Sequence, residues 1–418
     1  MQGRTLYIPQ MSYEGARAMA AAFNSVGIAA EPLPDSDVHS LELSSRYTNG
    51  DECLPEKITL GDFLKIVEKD TFDPKKTAFL LPTSNGPCRY GQYQPFLRKV
   101  LRELGADDVW VVSPTSSNGY EGFGEQAREL IRTAWRAVLA SDILRKLLLK
   151  TRPYEREKGT TEAVFQESLE RLCQVIAENG LGHRQRLKNI QRVLIDIRDR
   201  FRRIPADYRK DRPLIGVVGE IFCRLNDFSN DFMIKKIEEH GGEAWLSDVA
   251  EWVWYTNEEQ RLRLIRNGQR ISLAMLGARI KFAFQKYDEH VLYKPFREDF
   301  RGYEEPRHIR QILTNSEPYL PSRGALGEMV ISVGKAIYLY HKGADGIVDI
   351  SPFTCMNGIV CEAVFPQVSQ DHDHIPIRTF YFDGTQTDLD RDVGIFMELA
   401  RNYMRKKRVT RRYPAYFH

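Results

Sequence analysis

The chain has 418 residues, of which 42% are hydrophobic and 28% charged, and its formal net charge at pH 7 is +3. This length exceeds what one hydrophobic core of ordinary size can hold, so we expect two or three domains. The composition is typical of a soluble globular protein and excludes a membrane or disordered one. No run of about 18 apolar residues occurs and the first residues lack signal-peptide order, so we expect a cytoplasmic protein with no membrane partner.

The first 120 residues alternate short apolar runs with amphipathic stretches. Strands are predicted in "RTLYIP", "AAEPLP", "TAFLLPT" and "DVWVVSP", and helices in "SYEGARAMAAAFNSVG", "TLGDFLKIVEKD" and "YQPFLRKVLRELG". Strands that alternate with helices form parallel sheets covered by helices. We therefore predict an N-terminal α/β domain over residues 1–120.

The strand pattern then stops and later resumes. Residues 121–212 have apolar positions at helical spacing, which predicts a mainly helical region. A second α/β domain is predicted over residues 213–418, from the strand "RPLIGVVGE" to the helix "RDVGIFMELARNYMRKK", with a helical insertion around 249–342. The predicted fold is thus α/β, with two doubly wound, Rossmann-like (flavodoxin-like) parallel-sheet domains and a helical insertion.

Two basic stretches, "HRQRLKNIQRVLIDIRDRFRR" and "RNYMRKKRVTRRYP", raise the question of nucleic-acid binding. Their charges spread around predicted helices and no aromatic platform for bases accompanies them, which favours solvent-exposed faces. No glycine-rich nucleotide-binding motif occurs in a strand–helix context. We therefore expect no nucleic-acid partner.

Three of the six cysteines lie on loops that lead into predicted helices. Cys88 follows the run "TAFLLPT", Cys355 follows "GIVDISPFT", and Cys53 stands just ahead of a helix. Such loops lie at the carboxyl ends of parallel strands, where ligands bind, and helix N-termini favour thiolates and anionic clusters. Iron–sulfur clusters need anionic sulfur ligands, and tetrahedral zinc would also accept histidine. The alternative is that each thiol is a small buried packing residue.

The other three cysteines favour packing. Cys173 lies on an apolar helical stripe, and Cys223 and Cys361 lie in short apolar stretches. Because Cys361 follows Cys355 by six residues, it is a reserve ligand.

Polar side chains also follow strands of the second domain. The group after "LIGVVG" consists of Glu220, Arg224, Asn226, Ser229 and Asn230. It forms either a polar cleft wall or a helix start capped by Asn226 or Ser229. Asp383, with Gln386 and Thr387, ends the last strand in a ligand-facing loop or an ordinary turn.

Several segments together resemble a known family. They are "GDECLPEKITLGDFL", "LLPTSNGPCRYGQY", "IGVVGEIFCRLNDFSN", "SPFTCMNGIVCEAVFP" and "IPIRTFYFDGT". In this order they are similar to the CoA-activase-related proteins, which are relatives of 2-hydroxyacyl-CoA dehydratase subunits and of double-cubane cluster proteins. The resemblance spans nearly the whole chain, and "GPCRYGQY" is its most specific part.

The resemblance implies Rossmann-like domains around a cysteine-ligated iron–sulfur cluster. It also implies a partner, a homodimeric ATPase of the actin and sugar-kinase fold that carries its own cluster and donates a low-potential electron after ATP hydrolysis. Carried over residue by residue, it makes Cys53, Cys88 and Cys355 the cluster ligands, and Arg89 is a candidate counter-charge. It leaves open whether the chain forms homo- or hetero-oligomers.

The chain also departs from the family. Glu56 stands where many relatives have a further cysteine, and "CMNG" replaces an expected proline-bearing loop. Three cysteines are too few for a double cubane, so we predict one [4Fe–4S] cluster whose fourth iron site is open or is closed by Cys361 or another side chain. Two alternatives remain: a binding or scaffold module with zinc or no metal, and a self-sufficient 2-hydroxyacyl-CoA dehydratase.

Overall fold

The computed structural model describes residues 3–83, 86, 88–114, 127–322, 324, 327–385 and 388–418. The predicted boundary between residues 120 and 121 lies outside these ranges, as do Gln386 and Thr387. None of the helices in the described ranges is long and apolar enough to cross a membrane.

Two parallel sheets organise the described part of the chain. The first contains β1 (Thr5–Ile8), β2 (Ala30–Pro32), β3 (Thr77–Leu80) and β4 (Trp110–Val112), in the order β2-β1-β3-β4. The second contains β5 (Leu214–Gly219), β6 (Glu243–Leu246), β7 (Gly346–Pro352) and β8 (Ile377–Phe382), in the order β6-β5-β7-β8. The two sheets therefore share one topology, and their carboxyl ends are the ligand-binding edges of this fold class.

Helices follow the strands and also fill the middle of the chain. Those of the first half are α1 (Tyr13–Asn24), α2 (Val38–Ser45), α3 (Leu54–Val67) and α4 (Tyr90–Glu103). The middle contains α5 (Ala127–Thr151), α6 (Thr160–Ala177) and α7 (His183–Phe201). The second half contains α8 (Ile221–Leu225), α9 (Met233–Glu239), α10 (Val249–Arg266), α11 (Leu273–Tyr293), α12 (Ile309–Ser316), α13 (Glu328–His341), α14 (Met356–Asp371) and α15 (Leu389–Met404).

Both sheets carry helices on their two faces. On the first sheet, α3 and α4 pack against the face that contains Phe79, while α1 packs against the face of Leu6 and Ala78. On the second, α9 and α15 cover the face of Ile215 and Val217, while α13 and α14 share a core with Ile347 on the other. Strands buried on both faces are continuously apolar, as β3 and β5 are. The predicted α/β fold with two doubly wound parallel sheets is confirmed.

The middle helices connect the two halves. Arg145 of α5 forms an ion pair with Glu14 of α1 at 2.8 Å and a second pair with Asp142. Asp142 in turn accepts hydrogen bonds from the backbone N–H groups of Val249 at 3.0 Å and Ala250 at 2.9 Å, at the start of α10. Helix α5 is thus held by the first half on one side and by the second half on the other.

Three local features differ from the sequence prediction. Helix α2 was not predicted; Asp37 and Ser40 close its N-terminus with a reciprocal capping box. Helix α3 begins at Leu54 rather than at Thr59. The prediction that both basic stretches face solvent is wrong at Arg186, which is fully buried, and at Arg411, which pairs with the buried Glu243 at 2.6 Å.

Candidate cysteine site

The three predicted ligands, Cys53, Cys88 and Cys355, all lie at the starts of helices. Cys53 is the N-cap residue of α3, and Cys355, three residues after the end of β7, is the N-cap residue of α14. Cys88 lies two residues before α4 begins at Tyr90. The first two cysteines belong to the first half of the chain and the third to the second half. The predicted placement on loops leading into helices is therefore correct for each.

Arg89 brings the three cysteine loops together. Its Nη1 donates hydrogen bonds to the carbonyl oxygen of Asp51 at 2.6 Å and to Oγ1 of Thr354 at 3.3 Å, and its Nη2 lies 3.5 Å from the carbonyl oxygen of Thr354. Asp51 stands two residues before Cys53, and Thr354 directly precedes Cys355. One side chain next to Cys88 thus contacts the backbone beside each of the other two cysteines.

Thr354 adopts a left-handed backbone conformation, with φ of 63°. A threonine there costs about 1–3 kcal/mol, and such strain is concentrated at functional sites. The strained residue shapes the turn between β7 and α14 and presents both of its oxygens to Arg89.

Cys53 is a buried thiol beside the hydroxyl group of Tyr93. Only 9% of the residue is exposed, and its Sγ lies 2.7 Å from the hydroxyl oxygen of Tyr93 on α4. Burial raises the pKa of Cys53 to about 12, although the Tyr93 hydroxyl favours the thiolate. Without a metal, Cys53 is therefore a neutral thiol at pH 7.

Cys88 and Cys355 are more accessible. Cys88 is exposed, and its sulfur accepts a hydrogen bond from the N–H of Tyr90 at 3.5 Å. Partial burial raises the pKa of Cys88, as do the carboxyl groups of Glu328 and Glu220. Burial raises the pKa of Cys355 to about 11, while the backbone amide of Gly358 favours its thiolate. The site thus offers three protonated thiols that a metal would have to deprotonate.

Two carboxyl groups give the site an acidic character. Glu220, the N-cap residue of α8, accepts hydrogen bonds from the N–H groups of Phe222 at 3.1 Å and Cys223 at 2.7 Å. Glu328 of α13 accepts from the N–H of Ile221 at 3.0 Å. Burial raises the pKa of both carboxyls, and repulsion from Glu220 raises that of Glu328 further. Sequence reasoning identified Glu220 but missed Glu328, because no strand precedes Glu328 and only folding brings it to α8.

The remaining polar candidates have structural contacts. Asn226 is buried and donates to the carbonyl oxygen of Gln10 and to Oγ of Ser36, both at 3.0 Å. Neither Asn226 nor Ser229 caps a helix N-terminus, since Glu220 caps α8 and Phe232 precedes α9, so the helix-cap alternative is wrong. The exposed Asp383 accepts from the N–H of Thr385 at 2.8 Å in a local turn.

Two further thiols lie near the site. Cys361 is buried between α14 and α13, and its Sγ donates to the carbonyl oxygen of Met329 at 3.7 Å. Cys223 is fully buried and donates to the carbonyl oxygen of Ser229 at 3.6 Å. Burial raises the pKa of Cys223, and Glu220, Cys355 and Cys53 contribute. The sequence predicted packing for Cys223, and the fold also brings it near two of the predicted ligands.

The spacing of the candidate ligands bears on which group they could hold. Over the ranges that the structure describes, no three His, Cys, Asp or Glu side chains are grouped closely enough to hold one metal ion. A cluster distributes its cysteine ligands over several iron atoms, which suits thiols supplied by three separate loops. Two of the thiols also stand at helix N-termini, whose dipoles stabilise an anionic group.

Comparison of the chain with models of known protein families and with curated proteins found no match in either case.

Proposed function

We propose that this chain is an iron–sulfur protein that accepts low-potential electrons from an ATP-dependent activator and passes them to a difficult reduction or a 2-hydroxyacyl-CoA-type dehydration. In this proposal Cys53, Cys88 and Cys355 hold one [4Fe–4S] cluster. The supporting observation is that Arg89, adjacent to Cys88, contacts Asp51 and Thr354 beside the other two cysteines. The family resemblance supplies the activator, an ATPase of the actin and sugar-kinase fold with its own cluster.

When bound, the cluster supplies one-electron transfer at a potential that its surroundings set. The chain's own residues act on that potential in opposite directions. The hydroxyl of Tyr93 and the guanidinium of Arg89 favour negative charge on the thiolates, whereas Glu220 and Glu328 oppose it. In their ionised form the two glutamates would repel added negative charge and so favour a low potential, whereas burial, which raises the pKa of both, favours their neutral form.

The fourth iron position decides between catalysis and electron transfer. An open position would admit a substrate, whereas a thiol at that position would favour electron transfer alone. Cys223 and Cys361 each donate to a backbone carbonyl oxygen, but Cys223 interacts electrostatically with both Cys53 and Cys355, whereas Cys361 interacts with Cys355. Cys223 is therefore a better candidate than Cys361 for closing the site.

The test is metal analysis of protein purified without oxygen, with EPR spectra recorded before and after dithionite. Cys88→Ser is the informative variant, because Cys88 is exposed and its substitution disturbs little packing. Cys173→Ser is the control, because Cys173 is partly buried on α6 and lies outside the proposed ligand set. We expect stoichiometric iron and sulfide in the parent and the control, and a loss of both in Cys88→Ser. No iron or sulfide in the parent, with visible absorption unchanged by Cys88→Ser, would refute the proposal.

A binding or scaffold module with zinc or no metal is the second candidate. Glu56 favours it, because this residue replaces the further cysteine of many relatives, and burial, together with Glu52, raises its pKa to about 7. Zinc without acid-labile sulfide in the same preparation would support this candidate. Copurification of a second subunit, or binding of a CoA thioester, would instead support a dehydratase.

A further inference from the structure

Helices α10 and α11 form an antiparallel hairpin whose end projects from the protein. Their inner faces meet through the rings of Trp254 and Phe282, 5.3 Å apart, and through a 2.9 Å hydrogen bond from Asn257 to Gln285. Beyond these contacts the chain turns at residues 267–272, between the two helices. We call residues 260–287 the arm.

The outer face of the arm carries a continuous apolar stripe. Its exposed fractions are 99% for Ile271, 87% for Leu273, 53% for Leu276, 49% for Ile280, 46% for Phe284 and 61% for Tyr287. The guanidinium of Arg132 on α5 lies 3.9 Å from the centre of the Phe284 ring, so Phe284 is partly covered. The five residues within α11 follow one another at intervals of three or four, so they lie on one face of the helix. Met275 and Gln285, on the opposite face, are buried.

This stripe is larger than an ordinary exposed patch. Taking roughly 200 Å² for a fully exposed large side chain, the six residues expose on the order of 800 Å². The largest apolar patch on a typical monomer is roughly 300–600 Å², and larger ones mark interaction surfaces. Exposure is greatest at Ile271 and Leu273, so the stripe is most accessible beside the turn.

The arm is also strongly basic. It contains no Asp or Glu and seven cationic side chains, namely Arg261, Arg263, Arg266, Arg270, Arg279, Lys281 and Lys286. Three of them pair with carboxylates nearby: Arg261 with Glu258, Arg266 with Glu259 and Lys286 with Glu289. Within the described part of the chain, the other four form no ion pair. Two of these four, Arg279 and Lys281, flank Ile280 and so lie on either side of the stripe.

The positive charge of the arm indicates which kind of partner binds the apolar stripe. A second copy of the chain would place cations against cations, and this repulsion disfavours pairing of two arms. An anionic lipid surface meets both requirements, because the stripe enters the acyl boundary while the flanking cations reach the phosphates. A bilayer also needs no groove to receive the exposed end of the stripe, whereas a folded partner would have to supply one.

We propose that the arm attaches this protein to anionic lipid membranes, by shallow insertion of the apolar stripe from Ile271 to Tyr287. The proposal is independent of the cysteine site and revises the sequence expectation of no membrane partner. Attachment is peripheral, since interfacial helices bury only about 5–10 Å into the headgroup and acyl boundary.

The experiment is cosedimentation of the full chain with vesicles made either of phosphatidylcholine alone or of equal parts phosphatidylcholine and phosphatidylglycerol. We expect binding to the anionic vesicles only, weakened by added salt because the cations contribute through screened attraction. Ile280→Ser should lower partitioning about tenfold, the factor that corresponds to losing an apolar contact of roughly 1.4 kcal/mol.

Ile395→Ser is the matched control, because Ile395 on α15 is 51% exposed and Ile280 is 49% exposed. It should bind as the parent does, and both variants should keep the parent's thermal midpoint. Absence of binding to anionic vesicles at low salt would overturn the proposal, and so would equal losses in the two variants. Concentration-dependent dimerisation that Ile280→Ser abolishes, without vesicle binding, would assign the stripe to a second copy instead.

Discussion

Asn226 connects the two halves of the chain, and its replacement by alanine is the most direct test of how they are held. Its Nδ2 donates to the carbonyl oxygen of Gln10 and to Oγ of Ser36, both at 3.0 Å. Its Oδ1 accepts from the N–H of Ser229 at 2.9 Å. Gln10 and Ser36 follow β1 and β2 of the first sheet, whereas Asn226 ends α8, which follows β5 of the second.

The expected loss follows from these three hydrogen bonds. Asn226 is 5% exposed, so water replaces the lost partners poorly. A typical net hydrogen bond contributes about 0.5–1.5 kcal/mol, and a buried polar group left without a partner costs about 1–3 kcal/mol. Because Ser36 retains its hydrogen bond to Asp62, we expect Asn226→Ala to lower the free energy of unfolding by about 2–4 kcal/mol.

Urea denaturation followed by tryptophan fluorescence measures this loss. Asn402→Ala is the control, because Asn402 is exposed on α15 and its substitution should change the free energy of unfolding by no more than about 0.5 kcal/mol. A loss in Asn226→Ala no larger than in the control would refute the structural role. It would then favour the ligand-facing role that the sequence suggested for Asn226.

Three further predictions concern buried charges and the cysteine loops. Burial raises the pKa of Asp62 to about 6, so Asp62 contributes stability below about pH 4 that is lost as the pH rises through 6. In urea denaturation, the free energy of unfolding of Asp62→Asn relative to that of the parent should therefore rise by up to about 3 kcal/mol between pH 4 and 7. A difference between the two proteins that does not change with pH would contradict this. Arg411→Met leaves Glu243 buried without its cation, so thermal and urea unfolding should show a free energy of unfolding lower by about 3–5 kcal/mol. The control Arg412→Met changes an exposed residue and should leave the free energy of unfolding almost unchanged. Arg89→Leu removes mostly exposed hydrogen bonds and should lower the free energy of unfolding by less than about 1 kcal/mol. It should nevertheless reduce the amount of iron that the protein retains after anaerobic reconstitution. An iron content equal to the parent's would show that Arg89 does not organise the site.

The fold was predictable because its signals are local. Strands buried on both faces must be apolar throughout, so β3 and β5 are visible as continuous runs without any knowledge of their neighbours. Helix α2 escaped prediction because it spans only eight residues and half of its letters, in "VHSLELSS", are polar serine or histidine. Its N-terminal signal, Asp37 with Ser40, was present in the sequence and was not used.

The candidate site was predictable only in part. The positions of Cys53, Cys88 and Cys355 before helices follow from local patterns, since each stands where an amphipathic stretch begins. Glu328 and Cys223 could not be assigned to the site in this way. Glu328 lies 107 positions from its hydrogen-bond partner Ile221, and no local spacing relates the two residues.

The apolar stripe and Arg411 also show that a local sequence pattern does not decide which side chains face solvent. The spacing from Leu273 to Tyr287 is that of any amphipathic helix, and periodicity alone would assign its apolar face to a core. Only the packing of α11 against α10 reveals that the stripe faces outward. Arg411 stands in a basic tail that looks solvated, yet the tail carries it to Glu243.

The sequence by itself determined the fold class, the order of strands and helices, and the cysteines that stand ahead of helices. These properties depend on residues close together in the chain, through hydrogen bonding, periodicity and the burial of parallel strands. Tertiary structure alone decided that Arg89 joins the three cysteine loops, that Glu220 and Glu328 make the site acidic, and that the side chains of the arm's apolar stripe remain exposed. Those properties arise from contacts between distant segments, whose free energies exist only once the chain has folded.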